Sequence, residues 1–137
     1  MKPYTWQVRV YYEDTDAGGV VYYANYLRFM ERARTEWLRA LGVEQDRLMQ
    51  DRNVLFAVRS VQIEYKRPAR FNDALSVTVE PVATRPASLS IRQAIMHDQD
   101  EALLFAQADV NVVCLQADSF APQPIPKDLL KEIERAC

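Results

Sequence analysis

The stretch YYEDTDAGGVVYYANY, residues 11–26, holds the strongest structural signal in the chain. A strand-like run from Trp6 to Tyr12 stops there at three carboxylates, those of Glu13, Asp14 and Asp16. Two glycines and a short apolar stretch follow, and the pattern predicts a long helix from about Ala24. A strand, an acidic turn and a helix start can together hold a carboxylate close to a helix N-terminus. There, free N–H groups and the positive end of the helix dipole can polarise a carbonyl.

The composition is that of one globular domain spanning residues 1–137. Hydrophobic residues make up 49% and charged residues 26% of the chain, which argues against disorder. No apolar run approaches the roughly 20 residues that a bilayer crossing requires, and the N-terminal residues lack a signal-peptide core. We therefore expect a cytoplasmic protein that does not insert into membranes.

The charge balance gives no indication of a nucleic-acid partner. The chain has 17 basic and 19 acidic residues and a formal net charge of −2, whereas nucleic-acid binding usually requires a strongly basic face. Local basic clusters can still bind a small anionic ligand.

The scarcity of histidine and cysteine limits the chemistry that the chain can perform. His97 is the only histidine, and it stands beside a polar stretch that is typical of a hairpin turn. No Gly-x-Ser-x-Gly motif is present, and Cys114 and Cys137 form no Cys-x-x-Cys pair. A serine–histidine triad, a multi-histidine metal site, a zinc site and a disulfide framework are therefore all disfavoured. We therefore expect any acid–base chemistry to depend on carboxylates.

Hydrophobic periodicity predicts an α+β fold with an antiparallel sheet. Apolar residues recur every three or four positions from Leu27 to Leu41, which is helical, and Gly42 is a plausible C′ residue that ends the helix. A second short helix is predicted at 44–52. Four strands then follow, and after them a C-terminal helix at 127–136. Strands that follow one another after a helix favour α+β over a doubly wound α/β fold.

The first of these four predicted strands contains an arginine, Arg59, on its apolar face. Leu55, Ala57, Val61, Ile63 and Tyr65 alternate with polar residues, which predicts a half-buried strand. Arg59 falls on the apolar face of this alternation. We therefore expect Arg59 to have a polar partner on that face.

Residues 11–26 also resemble, almost residue for residue, the signature of the hotdog-fold acyl-CoA thioesterases. The nearest branches are the Tol–Pal-associated and the 4-hydroxybenzoyl-CoA thioesterases. The resemblance covers nearly the whole chain and weakens after about Leu115. It implies a hotdog fold, in which an antiparallel sheet of about five strands wraps one long central helix. It also implies a homodimer whose sheets join edge to edge, which would cover exposed edge strands; a homotetramer is an alternative.

The resemblance assigns Asp16 as the catalytic carboxylate, because Asp16 is the second Asp of the family's Asp-x-Asp-x-x-Gly motif. It could attack the thioester carbonyl as a nucleophile, forming a mixed anhydride, or act as general base for water. From the residues alone, an Asp before Ala-Gly-Gly is equally typical of an Asx turn. Asp14 and Glu13 are expected to organise the loop or to pair with an arginine.

The residues after Asp16 complete the match. Gly18 and Gly19 suit a close approach of backbone to substrate, and the resemblance places the carbonyl-polarising group at the backbone N–H of Tyr23. Many Tol–Pal-type relatives have histidine at the position of Tyr23, whereas tyrosine is familiar there in the 4-hydroxybenzoyl-CoA branch. Four further residues are expected to line the substrate site, namely Val21, Tyr22, Asn25 and Tyr26. Asn25 could orient Asp16 or cap the helix, and capping is favoured.

Coenzyme A carries phosphates that basic side chains at strand ends can bind. Besides Arg59, the candidate cations are Lys66, Arg67, Arg70 and Arg85. A solvated charged rim explains these residues equally well.

The resemblance implies an enzyme that hydrolyses an acyl-CoA thioester to a carboxylic acid and free CoA, with no metal and no redox cofactor. The acyl group is left open. One alternative is a non-catalytic protein that binds acyl thioesters or acyl carrier protein, or that serves a Tol–Pal partner. A hydratase of the same fold is disfavoured, because such enzymes usually rely on a catalytic histidine.

Overall fold

The structure is a computed structural model that describes residues 3–137. Strands and helices follow one another in the predicted order. Their bounds are β1 (Tyr4–Arg9), a 3₁₀ turn (Tyr12–Asp14), α1 (Tyr23–Ala40), α2 (Gln45–Arg52), β2 (Val54–Tyr65), β3 (Ala74–Arg85), β4 (Ser88–His97), β5 (Asp100–Gln116) and α3 (Lys127–Ala136). Within residues 3–137, no helix has both the length and the apolar content needed to cross a bilayer.

The five strands form one antiparallel sheet in the order β1-β3-β4-β5-β2. The long helix α1 packs on one face of this sheet, because its apolar residues recur at helical spacing and bury together. They include Phe29, Met30, Ala33 and Trp37, all at most 3% exposed. This arrangement confirms the predicted α+β fold and leaves β1 and β2 at the two edges of the sheet.

Helix α1 ends at Ala40, and Gly42 is its C′ residue, as the sequence predicts. Gly42 has a φ of 89°, and its N–H donates to the carbonyl of Arg39 while the N–H of Val43 donates to that of Leu38, both at 2.9 Å. These two bonds are the Schellman arrangement, which satisfies carbonyls that the helix leaves free. The predicted C-terminal helix at 127–136 also agrees with α3.

The predicted environment of Arg59 is wrong, because β2 contains a bulge at this residue. The pairing of β2 with β5 steps from Val58 directly to Ser60, so Arg59 is an extra residue. A bulge reverses the alternation of side chains along a strand. The side chains of β2 that share a face of the sheet with the inward residues of β5 are therefore those of Val54, Phe56, Val58, Val61, Ile63 and Tyr65. Arg59 is exposed, and no hydrogen bond or ion pair is found for it within residues 3–137.

Strand β1 is shorter at its C-terminal end than predicted. It ends at Arg9, and Tyr11 and Tyr12 lie outside the strand with most of their surface exposed. The reason is local, because the carboxylate of Asp14 accepts a hydrogen bond from the Tyr11 N–H at 2.8 Å. This bond turns the chain into the 3₁₀ turn that begins the candidate site.

Candidate active site

A small hairpin brings Asp16 to the start of α1. Thr15 pairs with Val21 as an isolated antiparallel bridge, and the N–H of Asp16 donates to the carbonyl of Val20 at 2.9 Å. At the tip, the N–H of Gly19 donates to the carbonyl of Asp16 at 3.0 Å. The acidic turn and the helix start therefore form one compact unit, as residues 11–26 predict.

The carboxylate of Asp16 is exposed and held by one backbone contact. Its Oδ1 accepts a hydrogen bond from the Gly18 N–H at 2.8 Å, which is the predicted Asx turn. A Cβ at Gly18 would lie 3.2 Å from this oxygen, so a side chain there would press on the carboxylate. Gly19 has a φ of 78°, a conformation that glycine adopts without strain. Both glycines therefore help to hold the Asp16 carboxylate in its position.

Asp14 organises the loop, as predicted, through its backbone as well as its side chain. Its carbonyl accepts from the Tyr22 N–H at 2.9 Å and from Nδ2 of Asn25, also at 2.9 Å. The expected capping role of Asn25 is wrong, because the N-cap residue is Tyr22 and no side chain caps it. Asn25 lies in the first turn of α1 with only 6% of its surface exposed. It fastens the helix to the acidic turn and donates to Asp14, not to Asp16.

The first turn of α1 leaves backbone donors free. Within residues 3–137, no acceptor is found for the N–H of Tyr23 or of Ala24. An exposed helix start with free N–H groups attracts the negative end of a polar bond. This is the geometry that the polarisation of a carbonyl requires.

A shallow pocket of about 240 Å³ opens beside this helix start. Tyr65, at the end of β2, lies between two tyrosines of α1, with ring centroids 5.9 Å from Tyr23 and 5.6 Å from Tyr26. The buried hydroxyl of Tyr26 accepts a hydrogen bond from the Ala69 N–H at 3.0 Å. Burial raises the pKa of both Tyr26 and Tyr65, so these phenols stay neutral. The pocket is lined by Val21, Tyr23, Tyr26, Tyr65, Lys66, Arg67 and Pro68.

The structure brings some of the predicted cations together and separates others. Lys66 and Arg67 line the pocket, and Lys66 pairs with Glu64 at 2.7 Å. The backbone of Arg70 pairs with Val20 in the acidic loop. Arg85 lies at the far end of β3, 11 residues from the Ala74 end that is next to the loop, or about 36 Å at 3.3 Å per residue. Within this chain, Arg85 is therefore remote from the others, as is Arg59 in the middle of β2.

Sequence reasoning missed Tyr65 as a site residue. Its place at the end of an alternating strand, directly before the Lys-Arg-Pro segment, is a signal that could have identified it. His97 is not among the residues that line the pocket; its Nδ1 accepts from the Gln99 N–H in the turn between β4 and β5. Within residues 3–137, no group of three or more potential ligand side chains is suited to a metal ion.

Comparison with known proteins decides the family. The model of the thioesterase-like superfamily matches residues 10–133, nearly the whole chain. The chain belongs to the thioesterase-like superfamily. The acyl-CoA thioester hydrolase YbgC of Escherichia coli O6:H1 is 44% identical over 132 residues, covering 96% of each chain. The acyl-CoA thioesterase YbgC of Haemophilus influenzae is 40% identical, covering 92% of this chain and 90% of its own.

A solved thioesterase structure has the same architecture. The 1,4-dihydroxy-2-naphthoyl-CoA thioesterase from Synechocystis superposes with a TM-score of 0.88 at 23% identity, covering 96% of each chain. This likeness concerns the fold. Together with the superfamily match, it confirms the predicted hotdog fold and the predicted family. The names of the curated relatives also confirm the predicted class of enzyme, a thioester hydrolase.

Proposed function

We propose that this protein hydrolyses acyl-CoA thioesters to the carboxylic acid and free CoA, with Asp16 as the working carboxylate. The observation that supports this most directly is that the small hairpin carrying Asp16 leads into an exposed helix start whose Tyr23 N–H has no acceptor within residues 3–137. The relatives named as acyl-CoA thioester hydrolases match the chain across this site. A carboxylate and an oxyanion donor, held by one rigid loop, are the two groups that acyl transfer needs.

In the proposed reaction, the thioester carbonyl oxygen accepts a hydrogen bond from the Tyr23 N–H, which stabilises the negative charge that develops on it. Asp16 then acts in one of two ways. As a nucleophile, it forms a mixed anhydride and releases the thiolate of CoA, and water hydrolyses the anhydride. As a general base, it takes a proton from a water molecule that attacks the carbonyl directly. Both routes consume one water and regenerate the Asp16 carboxylate.

We further propose that the segment Lys66–Arg70 binds the phosphates of CoA. Lys66 and Arg67 stand at the rim of the pocket that contains Tyr23, and the backbone of Arg70 is joined to the loop that carries Asp16. Charge-assisted contacts to phosphate are among the strongest hydrogen bonds in proteins. This placement supports a CoA site at the Tyr65 end of β2.

We also propose a homodimer formed through β2. As an edge strand, β2 presents unpaired backbone groups, and apolar side chains on its inward face remain exposed, with Val58 at 45%, Val61 at 38% and Tyr65 at 44%. Pairing with the β2 of a second copy would satisfy the backbone groups and cover these side chains. The acyl pocket would then lie between protomers, lined in part by α1.

The function is tested by screening purified protein against a panel of acyl-CoAs with a thiol-detecting reagent and comparing Asp16→Asn with Asp14→Asn. We expect Asp16→Asn to fold normally and to lose at least about 100-fold in kcat, the lower range for a positioned acid–base group. Asp14→Asn changes a neighbouring carboxylate in the same loop and should lower kcat less than Asp16→Asn does. Rapid-quench mass spectrometry under single-turnover conditions would detect an acylated Asp16 and so identify a nucleophilic route.

Equal activity of the wild type and Asp16→Asn on the best thioester would exclude Asp16 as the working carboxylate. A protein that binds acyl thioesters without cleaving any of them would instead support the non-catalytic alternative, in which the fold holds an acyl thioester or acyl carrier protein.

A further inference from the structure

A second pocket, which we call the α1–β2 pocket, lies between α1 and the first half of β2. Its volume is about 130 Å³, room for roughly four groups of the size of a water molecule at about 30 Å³ each. Most of its wall is hydrocarbon, which suits the end of an acyl chain. The apolar part of the wall includes Trp37, Leu38, Phe56, Leu89 and Ile91.

Two charged residues of α1, Glu31 and Arg34, also line this largely apolar pocket, and Arg34 is the more buried of the two. Its Nη1 donates a hydrogen bond to Oε1 of Gln93 at 2.8 Å. Gln93 is fully buried, and its Nε2 donates in turn to the carbonyl of Met30 at 3.0 Å. The amide of Gln93 is therefore fixed between helix and sheet, and it holds the guanidinium of Arg34 in place.

The guanidinium of Arg34 retains unused donors. An arginine carries five N–H groups, and the contact with Gln93 is the one hydrogen bond found for this side chain within residues 3–137. No carboxylate of the described residues lies within 4.0 Å of it. Burial lowers the pKa of Arg34, and the charge of Glu31 opposes that shift.

Glu31 stands on the rim of the same pocket and does not neutralise Arg34 by contact. It is exposed, and its Oε1 accepts from the hydroxyl of Thr35 at 3.1 Å. Thr35 in turn accepts from Nε2 of Gln45 at 3.3 Å. A partly buried cation without a counter-ion is costly. An acceptor brought in by a ligand would relieve that cost.

We propose that the α1–β2 pocket receives the far end of the acyl group and that Arg34 selects acyl groups ending in a carboxylate. This inference rests on the proposed thioesterase function. Along one α1, Arg34 is 11 residues from Tyr23, or about 16 Å at 1.5 Å per residue. In the proposed dimer the route is shorter if the two β2 strands pair about their midpoints, because antiparallel pairing in that register sets the Phe56–Val58 half of one strand beside the Tyr65 end of the other. One protomer's α1–β2 pocket then lies next to its partner's helix start.

The test compares matched pairs of substrates, a plain acyl-CoA and an ω-carboxyacyl-CoA of the same carbon number, over chains of five to ten carbons. For at least one length, we expect the wild type to hydrolyse the carboxylated member with a kcat/KM equal to or above that of the plain one. Arg34→Met should lower kcat/KM for the carboxylated member at least tenfold and change the plain member less than threefold. Arg32→Met, which removes an exposed arginine of α1 that does not line the pocket, should change neither.

Arg34→Met leaves the buried amide oxygen of Gln93 without its donor, which can destabilise the fold. The double variant Arg34→Met/Gln93→Leu removes both partners and should show the same selective loss. Equal losses on both members of each pair would mean that Arg34 is only structural. A wild type with a higher kcat/KM for the plain member at every length would also overturn the inference.

If the wild type hydrolyses no thioester, the proposed function fails, but the role of Arg34 can still be decided by calorimetry with pentanoate and its uncharged amide, pentanamide. Pentanoate that binds the wild type more tightly than pentanamide does, with the difference lost in Arg34→Met, would uphold a carboxylate site. Equal binding, or no binding, of the two compounds would exclude it.

Discussion

At the scale of single residues, the candidate site depends more on backbone than on side chains. The carboxylate of Asp16 is placed by one N–H, that of Gly18. The start of α1 is fastened by the carbonyl of Asp14, which accepts from Tyr22 and Asn25. The group proposed to polarise the substrate is the N–H of Tyr23. Side chains that disturb these backbone contacts should therefore matter more than side chains that merely neighbour them.

Tyr23→Phe tests this view, because it removes a hydroxyl and keeps the ring, the helix start and the N–H. The ring of Tyr23 packs edge-on against Tyr65, and its hydroxyl has no hydrogen-bond partner within residues 3–137. A hydroxyl used only for packing or orientation contributes about 1 kcal/mol or less, so we expect kcat within roughly threefold of the wild type. Steady-state kinetics on the best acyl-CoA would measure this, and a hundredfold loss would show that the phenol takes part in the chemistry.

At the scale of elements, the site is assembled where β2 ends and α1 begins. Tyr65 is the last residue of β2, and the N–H groups of Lys66 and Arg67 both donate to the carbonyl of Phe105 in β5, at 2.8 and 3.2 Å. The segment that follows reaches the acidic loop through the Val20–Arg70 bridge and the bond from the Val21 N–H to the Ala69 carbonyl. The strand end, the loop and the helix start therefore hold one another in position.

Replacing Lys66, Arg67 and Arg70 together with alanine tests whether this segment binds CoA. We expect KM for a full-length acyl-CoA to rise with little change in kcat, because the lost contacts lie away from the reacting carbon. The rise should shrink for a truncated thioester that lacks the nucleotide. Arg85→Ala is the control, because Arg85 is remote from this segment in the same chain, and it should leave KM unchanged. An unchanged KM in the triple variant would assign the cluster to ordinary solvated surface.

At the scale of the whole molecule, the two edges of the sheet differ in what they leave exposed. The β1 edge alternates half-buried residues with the polar Thr5, Gln7 and Arg9. The β2 edge exposes the apolar side chains of Val58, Val61 and Tyr65. An edge with unpaired backbone and exposed apolar side chains is a template for pairing with another strand. This asymmetry favours β2 as the dimer interface.

Val61→Lys is expected to convert a dimer to a monomer, because a charge on the edge strand opposes strand pairing. Light scattering after size exclusion would measure the mass of each variant. Thr5→Lys places the same charge on the β1 edge and should leave the dimer intact. Activity should fall with dimer dissociation if the acyl pocket spans two protomers. A wild type that is monomeric and fully active would contradict the interface.

Features that depend on neighbours in the chain could be predicted from the amino-acid sequence. The acidic turn around Asp16, the end of α1 before Gly42 and the span of α3 were all predictable, because Asx turns, Schellman ends and helical periodicity act over only a few residues. The same local reasoning failed for Asn25, whose amide joins the carbonyl of Asp14 across the turn instead of capping the helix.

Features that depend on residues far apart in sequence could not be predicted and become visible in the folded chain. The bulge at Arg59 is defined by how β2 pairs with β5, and one extra residue moves every later side chain to the other face of the strand. The approach of Tyr65 to Tyr23 and the bond from Arg34 to Gln93 likewise join distant segments. The sequence of one strand does not specify the register in which it pairs with another. These contacts therefore form only when the sheet and α1 pack together.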